Sequence, residues 1–132
     1  MEKLKILIVD DEQDAIEYVK AVLESLADFE FIEAVDGLEG IDAAREHKPD
    51  LIILDVMMPR MDGFKVFYEL RKETVTKHIP VIMLTGVAEK AGITFFKKDM
   101  KNFLGSEPFD YIEKPLNPEK FTQSIKKVFE LV

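Results

Sequence analysis

The chain contains neither cysteine nor tryptophan. Without thiols, disulfide frameworks, thiolate metal sites and cysteine nucleophiles are excluded, and the composition suits a reducing cytoplasm. Basic residues are in deficit: 18 Lys and Arg stand against 26 Asp and Glu, for a formal net charge of -8 and a pI near 4.8. Neutralising phosphates needs clustered Lys and Arg, so direct binding to nucleic acid or to an anionic membrane is not expected. Apolar runs are short, and none approaches the roughly 18 residues of a spanning helix. The opening "MEKLKILIVDD" lacks the hydrophobic region and small-residue cleavage site of a signal peptide, so a soluble, cytoplasmic protein is expected. Neither a GxGxxG nor a GxxxxGK[ST] motif occurs, which removes the usual nucleotide cradles. No linker, repeat or low-complexity segment divides the 132 residues, a length that suits one domain over 1–132 with an ordinary core.

What is present is alternation. Short β-branched runs alternate with stretches of helical spacing, the pattern of βα units laid into a parallel sheet. "LKILIV" is the first strand, and Ala15, Tyr18, Val19, Val22, Leu23 and Leu26 then make one apolar helix face. "FEFIEAV" reads as the second strand, with Asp36-Gly37 turning into a helix over Leu38 to Glu46. "LIIL", four aliphatic residues without alternation, is a central strand covered on both faces. The loop "VMMPRMDG" leads to a helix bearing Phe64, Phe67 and Leu70, and "IPVIML" is a fourth strand closing at Thr85. "FDYI" is the fifth, stopping at Glu113-Lys114-Pro115, before a last helix with Phe121, Ile125, Val128 and Phe129. The expected architecture is α/β: one doubly wound (βα)5 domain with a parallel sheet of order 2-1-3-4-5.

Open sheets of this kind bind ligands at the carboxyl ends of their strands, where the strand order reverses. In the expected order, strands one and three are neighbours, so Asp10 and Asp11 meet Asp55 in one crevice, with Thr85 and Lys114 beside them. Two carboxylates about 4 Å apart repel by roughly 4 kcal/mol at an effective dielectric of 20. Three such pairs cost on the order of 10 kcal/mol, as much as the stability of a whole domain. Lys114 offsets one charge, and a divalent cation preferring oxygen, such as Mg²⁺, would offset the other two. Each aspartate taken singly could equally be a helix cap or turn residue. Their meeting at one sheet edge favours a cation site.

Four marks stand together: "VDDE" after strand one, "DVMMPRMDG" after strand three, Thr85-Gly86 after strand four and "YIEKP" at strand five. Over essentially the whole chain they resemble the receiver domains of two-component response regulators. That resemblance implies a flavodoxin-like fold and a phosphorelay switch rather than an enzyme with a separate substrate. By it, Asp55 is the phosphoacceptor, and Asp10, Asp11, Asp55 and the backbone carbonyl of Met57 hold Mg²⁺. Thr85 and Lys114 contact the phosphoryl group, Lys114-Pro115 is a cis peptide, and Tyr111 is the switch aromatic that follows Thr85 inward. The implied donor is a phosphohistidine on a sensor histidine kinase or a histidine phosphotransfer protein. Neither His47 nor His78 suits that role, since both fall in solvated positions. Met57 and Val87 are apolar two residues beyond Asp55 and Thr85, so slow self-dephosphorylation is expected.

The chain departs from the family pattern between Thr85 and Lys114. Their spacing of twenty-nine positions exceeds the family's usual interval by roughly two helical turns. In "GITFFKKDMKNFLG", Ile93, Phe96, Met100 and Phe103 fall at helical spacing, Phe95 lies nearly opposite, Lys97, Lys98 and Lys101 gather, and Gly105 reads as the stop. The segment reads either as a lengthened core helix with a solvated lysine face or, with Tyr111 and the last helix, as the surface that meets a downstream protein target, as monomer or phosphorylation-dependent dimer. Two rival readings are open. One is a receiver-like scaffold acting without phosphorylation. The other is a haloacid dehalogenase-type Mg²⁺ phosphatase, which would need a second Asp where Glu12 stands and room for a cap domain.

Overall fold

The computed structural model describes residues 2–86, 97–98 and 105–130. Five parallel strands, β1 (Lys5–Val9), β2 (Glu30–Ala34), β3 (Leu51–Asp55), β4 (Val81–Thr85) and β5 (Asp110–Glu113), form one sheet. Their order is β2-β1-β3-β4-β5, as the sequence pattern predicts. Four helices are described: α1 (Gln13–Glu24), α2 (Gly37–His47), α3 (Gly63–Lys72) and α4 (Pro118–Phe129). Of the segment between β4 and β5, only Gly86, Lys97 and Lys98 and the approach from Gly105 belong to the described residues, so the helical positions read at Ile93, Phe95, Phe96, Met100, Lys101 and Phe103 lie outside them. Gly105 has a φ of +62°, in the left-handed region that glycine adopts without a steric penalty.

Alternate side chains of each strand feed two separate apolar layers. Leu7, Val9, Ile52, Leu54, Val81 and Met83 point toward α2 and α3, where Ile41, Ala44, Val66, Phe67 and Leu70 meet them. Ile6, Ile8, Leu51, Ile53, Ile82 and Leu84 point the other way, onto Ile16, Val19 and Leu23 of α1 and Phe121 and Ile125 of α4. Covering on both faces explains why β3 and β4 carry unbroken aliphatic runs.

The sequence reading of α1 needs correction. Its core side is Ile16, Val19 and Leu23, all buried, whereas Tyr18 is 47% exposed. At about 100° per residue, Tyr18 lies some 200° around the helix from Ile16 and so falls on the outer face. In α3, Val66 joins Phe67 and Leu70 in the core, and Phe64 is half-buried. Strand ends also move by a residue or two. Phe29 and Val35 lie outside β2, and β4 starts at Val81 because Pro80 has no N–H to give the ladder.

Helix starts show where short polar side chains are spent. Asp36, Asp62 and Asn117 cap α2, α3 and α4 by accepting from the amides of Glu39, Lys65 and Lys120. α1 differs: Glu12 is at its N-cap position and makes no side-chain cap bond. Of the two aspartates just before it, Asp10 is held by the Glu12 amide and by Lys114.

Candidate functional site

β1 and β3 pair directly, Val9 against Leu54, so the residues at the ends of these strands share one crevice. Asp10 follows β1, Asp55 closes β3, Thr85 closes β4, and Lys114 follows β5. Asp10, Asp55 and Thr85 are all buried, while Asp11 is exposed at the crevice mouth. One carboxylate oxygen from each of Asp10, Asp11 and Asp55 lies within 4.8 Å of the other two. The Lys114 ammonium donates to Asp10 Oδ2 at 3.2 Å and pairs with Asp55 Oδ1 at 2.9 Å. The structure thus brings the three carboxylates into one cluster with Lys114 bonded to two of them, Asp10 and Asp55, and the Asp55–Leu84 register sets Thr85 one residue further along the neighbouring strand.

Asp10 also does the turn duty that any one aspartate here could have done alone. Its Oδ1 accepts the Glu12 amide at 3.0 Å while Oδ2 meets Lys114. The side chain is therefore fixed from two directions. The Lys114 amide donates to the Thr85 carbonyl at 2.7 Å, which carries the β4–β5 ladder up to the crevice, and the Lys114-Pro115 peptide is cis.

Burial pushes the Asp55 carboxyl up to about 6; Lys114 opposes that rise, and the neighbouring Asp10 and Asp11 charges add to it. Asp55 is still mostly ionised at neutral pH, and burial matters more to it than its neighbours' charge. Burial alone would lower Lys114, but the bonds and charges of Asp55 and Asp10 outweigh it and hold the ammonium above its ordinary range. One lysine against three carboxylates leaves the crevice two charges short. An all-oxygen, acidic donor set with one member open to solvent suits a hard divalent cation of the Mg²⁺ type.

Sequence reasoning passed over Gly63. A Cβ there would stand 2.5 Å from the Asp55 carbonyl oxygen and 2.8 Å from Val56 Cα, so the loop after β3 can fold back behind Asp55 only with glycine at this position. The Gly63 amide donates to the Val56 carbonyl at 2.8 Å and closes that loop. The signal was visible as the "DG" ahead of a helix. Met57, on the same loop, is 62% exposed. Val87 lies outside the described residues. His47 and His78 are both exposed, away from the crevice.

Tyr111 shares the α3 face of the sheet. It pairs with Met83, and Thr85 stands two residues further along β4 on the same side. Its ring packs against the α2–α3 apolar layer. Its hydroxyl is buried and has no hydrogen-bond partner among the described residues.

A doubly wound parallel sheet with an acidic crevice at its carboxyl edge defines the class: a flavodoxin-like α/β domain of the receiver type. Comparison with known proteins names the family. Residues 6–126 match the response regulator receiver domain, and the chain belongs to that family. It is 36% identical over 124 residues to the alkaline phosphatase synthesis transcriptional regulatory protein PhoP of Bacillus subtilis, covering 94% of this chain and 48% of that protein. It is 33% identical over 121 residues to the polar-differentiation response regulator DivK of Brucella anthropi, covering 92% of each. A response regulator receiver domain protein from Clostridium thermocellum superposes with a TM-score of 0.81 at 27% identity, covering 96% of this chain and 94% of that one. The chain spans about half the length of most of the curated relatives it matches, PhoP among them. Receiver domains are signalling switches of two-component systems. No helix among the described residues is long and apolar enough to cross a membrane.

Proposed function

We propose that residues 1–132 form one cytoplasmic receiver domain in which Asp55 accepts a phosphoryl group from a phosphohistidine, and that the domain then changes its surface toward a protein target. The observation that carries this reading is the buried Asp55 carboxylate, 2.9 Å from Lys114 and within 4.8 Å of the Asp10 and Asp11 oxygens. In the transfer, an Asp55 oxygen bonds to phosphorus as the donor's N–P bond breaks. Asp10, Asp11 and Asp55, with the Met57 carbonyl, are the groups that would hold Mg²⁺. When bound, the ion supplies the positive charge that lets an anionic nucleophile meet an anionic phosphoryl group. The protein's part is positioning. Asp10 is fixed at both oxygens, Gly63 lets the loop support Asp55 from behind, and the Lys114 ammonium lies where it can stabilise phosphoryl oxygens in a loose transition state.

A groove beside the crevice supports the choice of donor. Ala15, Tyr18, Pro115 and Leu116 line it together with Lys114 and the acidic Glu12 and Asp14, and a helix with an apolar stripe carrying a phosphohistidine fits such a surface. The net charge of -8 favours a protein rather than nucleic acid as the direct partner. The transcriptional role in PhoP's name makes DNA a reasonable final target for a full-length protein built on such a receiver. The phosphoryl group adds up to about two negative charges beside Asp10 and Asp11, more than Mg²⁺ and Lys114 together balance. The excess draws the Thr85 hydroxyl inward and shifts the Tyr111 population with it.

The test is intact mass after incubation with Mg²⁺ and a small acyl phosphate. Gain of one phosphoryl group in the wild type, absent in Asp55→Ala and with chelator, is the expected result. No gain, even from a cognate phosphohistidine donor, would mean that the domain is a scaffold that works unphosphorylated. The apolar, exposed Met57 cannot orient a hydrolytic water, so the acyl phosphate should last minutes or longer; a half-life of seconds at neutral pH would contradict this.

A further inference from the structure

The stretch between β4 and β5 places one described side chain on the switch aromatic. Lys97 Nζ lies over the Tyr111 ring, 4.7 Å from its centroid. Lys97 is itself exposed, so packing of the core does not require it there. Two other lysines, Lys65 and Lys72, sit over Tyr68 at 5.4 and 4.8 Å, but they are neighbours on the same helix. The Lys97 contact joins separate parts of the chain, and so depends on where Tyr111 is.

Tyr111 has a reason to be elsewhere. Its inward position leaves the hydroxyl buried without a partner among the described residues, whereas an outward rotamer would wet it. Burial and the nearby Glu107 carboxylate both push its pKa upward, so the hydroxyl keeps its proton and its need for a bond. The inward state is held against that cost by contact of the ring with the α2–α3 layer and by the cation above its face.

We propose that Lys97 is a positioning residue for Tyr111: its ammonium stabilises the inward ring, so the lengthened β4–β5 stretch sets the resting bias of the switch. The signalling consequence rests on the reading of Tyr111 as the switch aromatic; the contact itself does not. Phosphorylation then acts on an equilibrium that this stretch has already tilted toward the inward state, and any partner that draws Lys97 away releases the ring.

The chain has three tyrosines and no tryptophan, so a Tyr18→Phe, Tyr68→Phe background makes Tyr111 the sole emitter. Acrylamide quenching of its fluorescence then reports ring exposure. In that background Lys97→Gln should lower the inward-to-outward ratio about two- to fivefold, and Lys97→Arg should preserve it. Adding Mg²⁺ and beryllofluoride, a phosphoryl analogue, should return the ring of the Lys97→Gln protein inward. Unchanged quenching in Lys97→Gln, or equal loss in Lys97→Arg, overturns the proposal. A Lys97 effect without any response to beryllofluoride upholds the contact and overturns the switch reading of Tyr111.

Discussion

Leu54 and Asp55 are adjacent in β3 and almost equally shielded from water, at 0% and 4% exposure. Burial has opposite consequences for them. For Leu54 it is worth about 1.5–3 kcal/mol of stability. For Asp55 it raises the carboxyl to about 6 and makes its ionised form a liability. Val9 with Asp10, which follows β1, and Leu84 with Thr85 at the end of β4 likewise set a buried apolar side chain beside a buried polar one. The sheet's centre is stable because only apolar groups reach it. Its carboxyl edge holds charges at similar depth, and that stored cost is what a cation or a phosphoryl group can work against.

The largest expected effect tests the centre. Leu54→Ala should lower unfolding free energy by about 2–5 kcal/mol in urea titrations, because close-packed neighbours from both β1 and α3 cannot fill the gap. A loss under 1 kcal/mol would mean that the layer is loosely packed and that the contrast with the edge is overstated.

At the edge, Lys114→Met removes the cation shared by Asp10 and Asp55. In cation-free buffer at neutral pH the expected loss is about 1–3 kcal/mol, below the cost at a fully buried pair because the lysine is about one-third exposed. Saturating Mg²⁺ should recover part of it. No recovery would argue that the trio is not a cation site.

Asp55→Asn should move stability the other way. The folded pKa of about 6 lies above the roughly 3.9 of an unfolded aspartate. Between those values the folded chain binds more protons than the unfolded chain, so this group's contribution is complete below about pH 4, falls as pH rises through about 6, and is flat above. The variant should therefore gain about 1–2 kcal/mol at pH 7.5 without metal and lose that slope. A pH profile identical to wild type would show that Asp55 is solvated in solution.

Thr85→Val should have the smallest effect on stability, within about 1 kcal/mol, since no hydrogen bond of its hydroxyl is seen among the described residues. Its consequence should be in coupling: the Tyr111 response to beryllofluoride should be lost. Retention of that response would separate the tyrosine from the strand end altogether.

Much of this contrast was legible in the chain. The runs "ILIV", "LIIL" and "VIML" mark strands buried on both sides, and the acid or hydroxyl placed straight after each marks the edge. Strand order and the clustering of Asp10, Asp11, Asp55 and Lys114 agree with that reading, and the cis Lys114-Pro115 bond agrees with what the family resemblance implies. Tyr18 was misplaced because a helix face a few residues wide can be drawn through either Ala15 and Tyr18 or Ile16 and Val19, and only packing against Phe121 and Ile125 selects the latter. Gly63 was missed for another reason: its requirement for glycine depends on backbone atoms brought near by a loop's exact path, and no periodicity encodes that.

The sequence alone determined which residues are apolar, how they repeat and where each strand gives way to charge. Those properties are local, and hydrophobic periodicity with chain-end chemistry is enough to express them. Only the tertiary structure decided that Lys114 spans two carboxylates, that burial rather than neighbouring charge perturbs Asp55, and that Lys97 lies over Tyr111. Each of these depends on distances and solvent access between groups far apart in the chain, and those exist only once both layers have closed on the sheet.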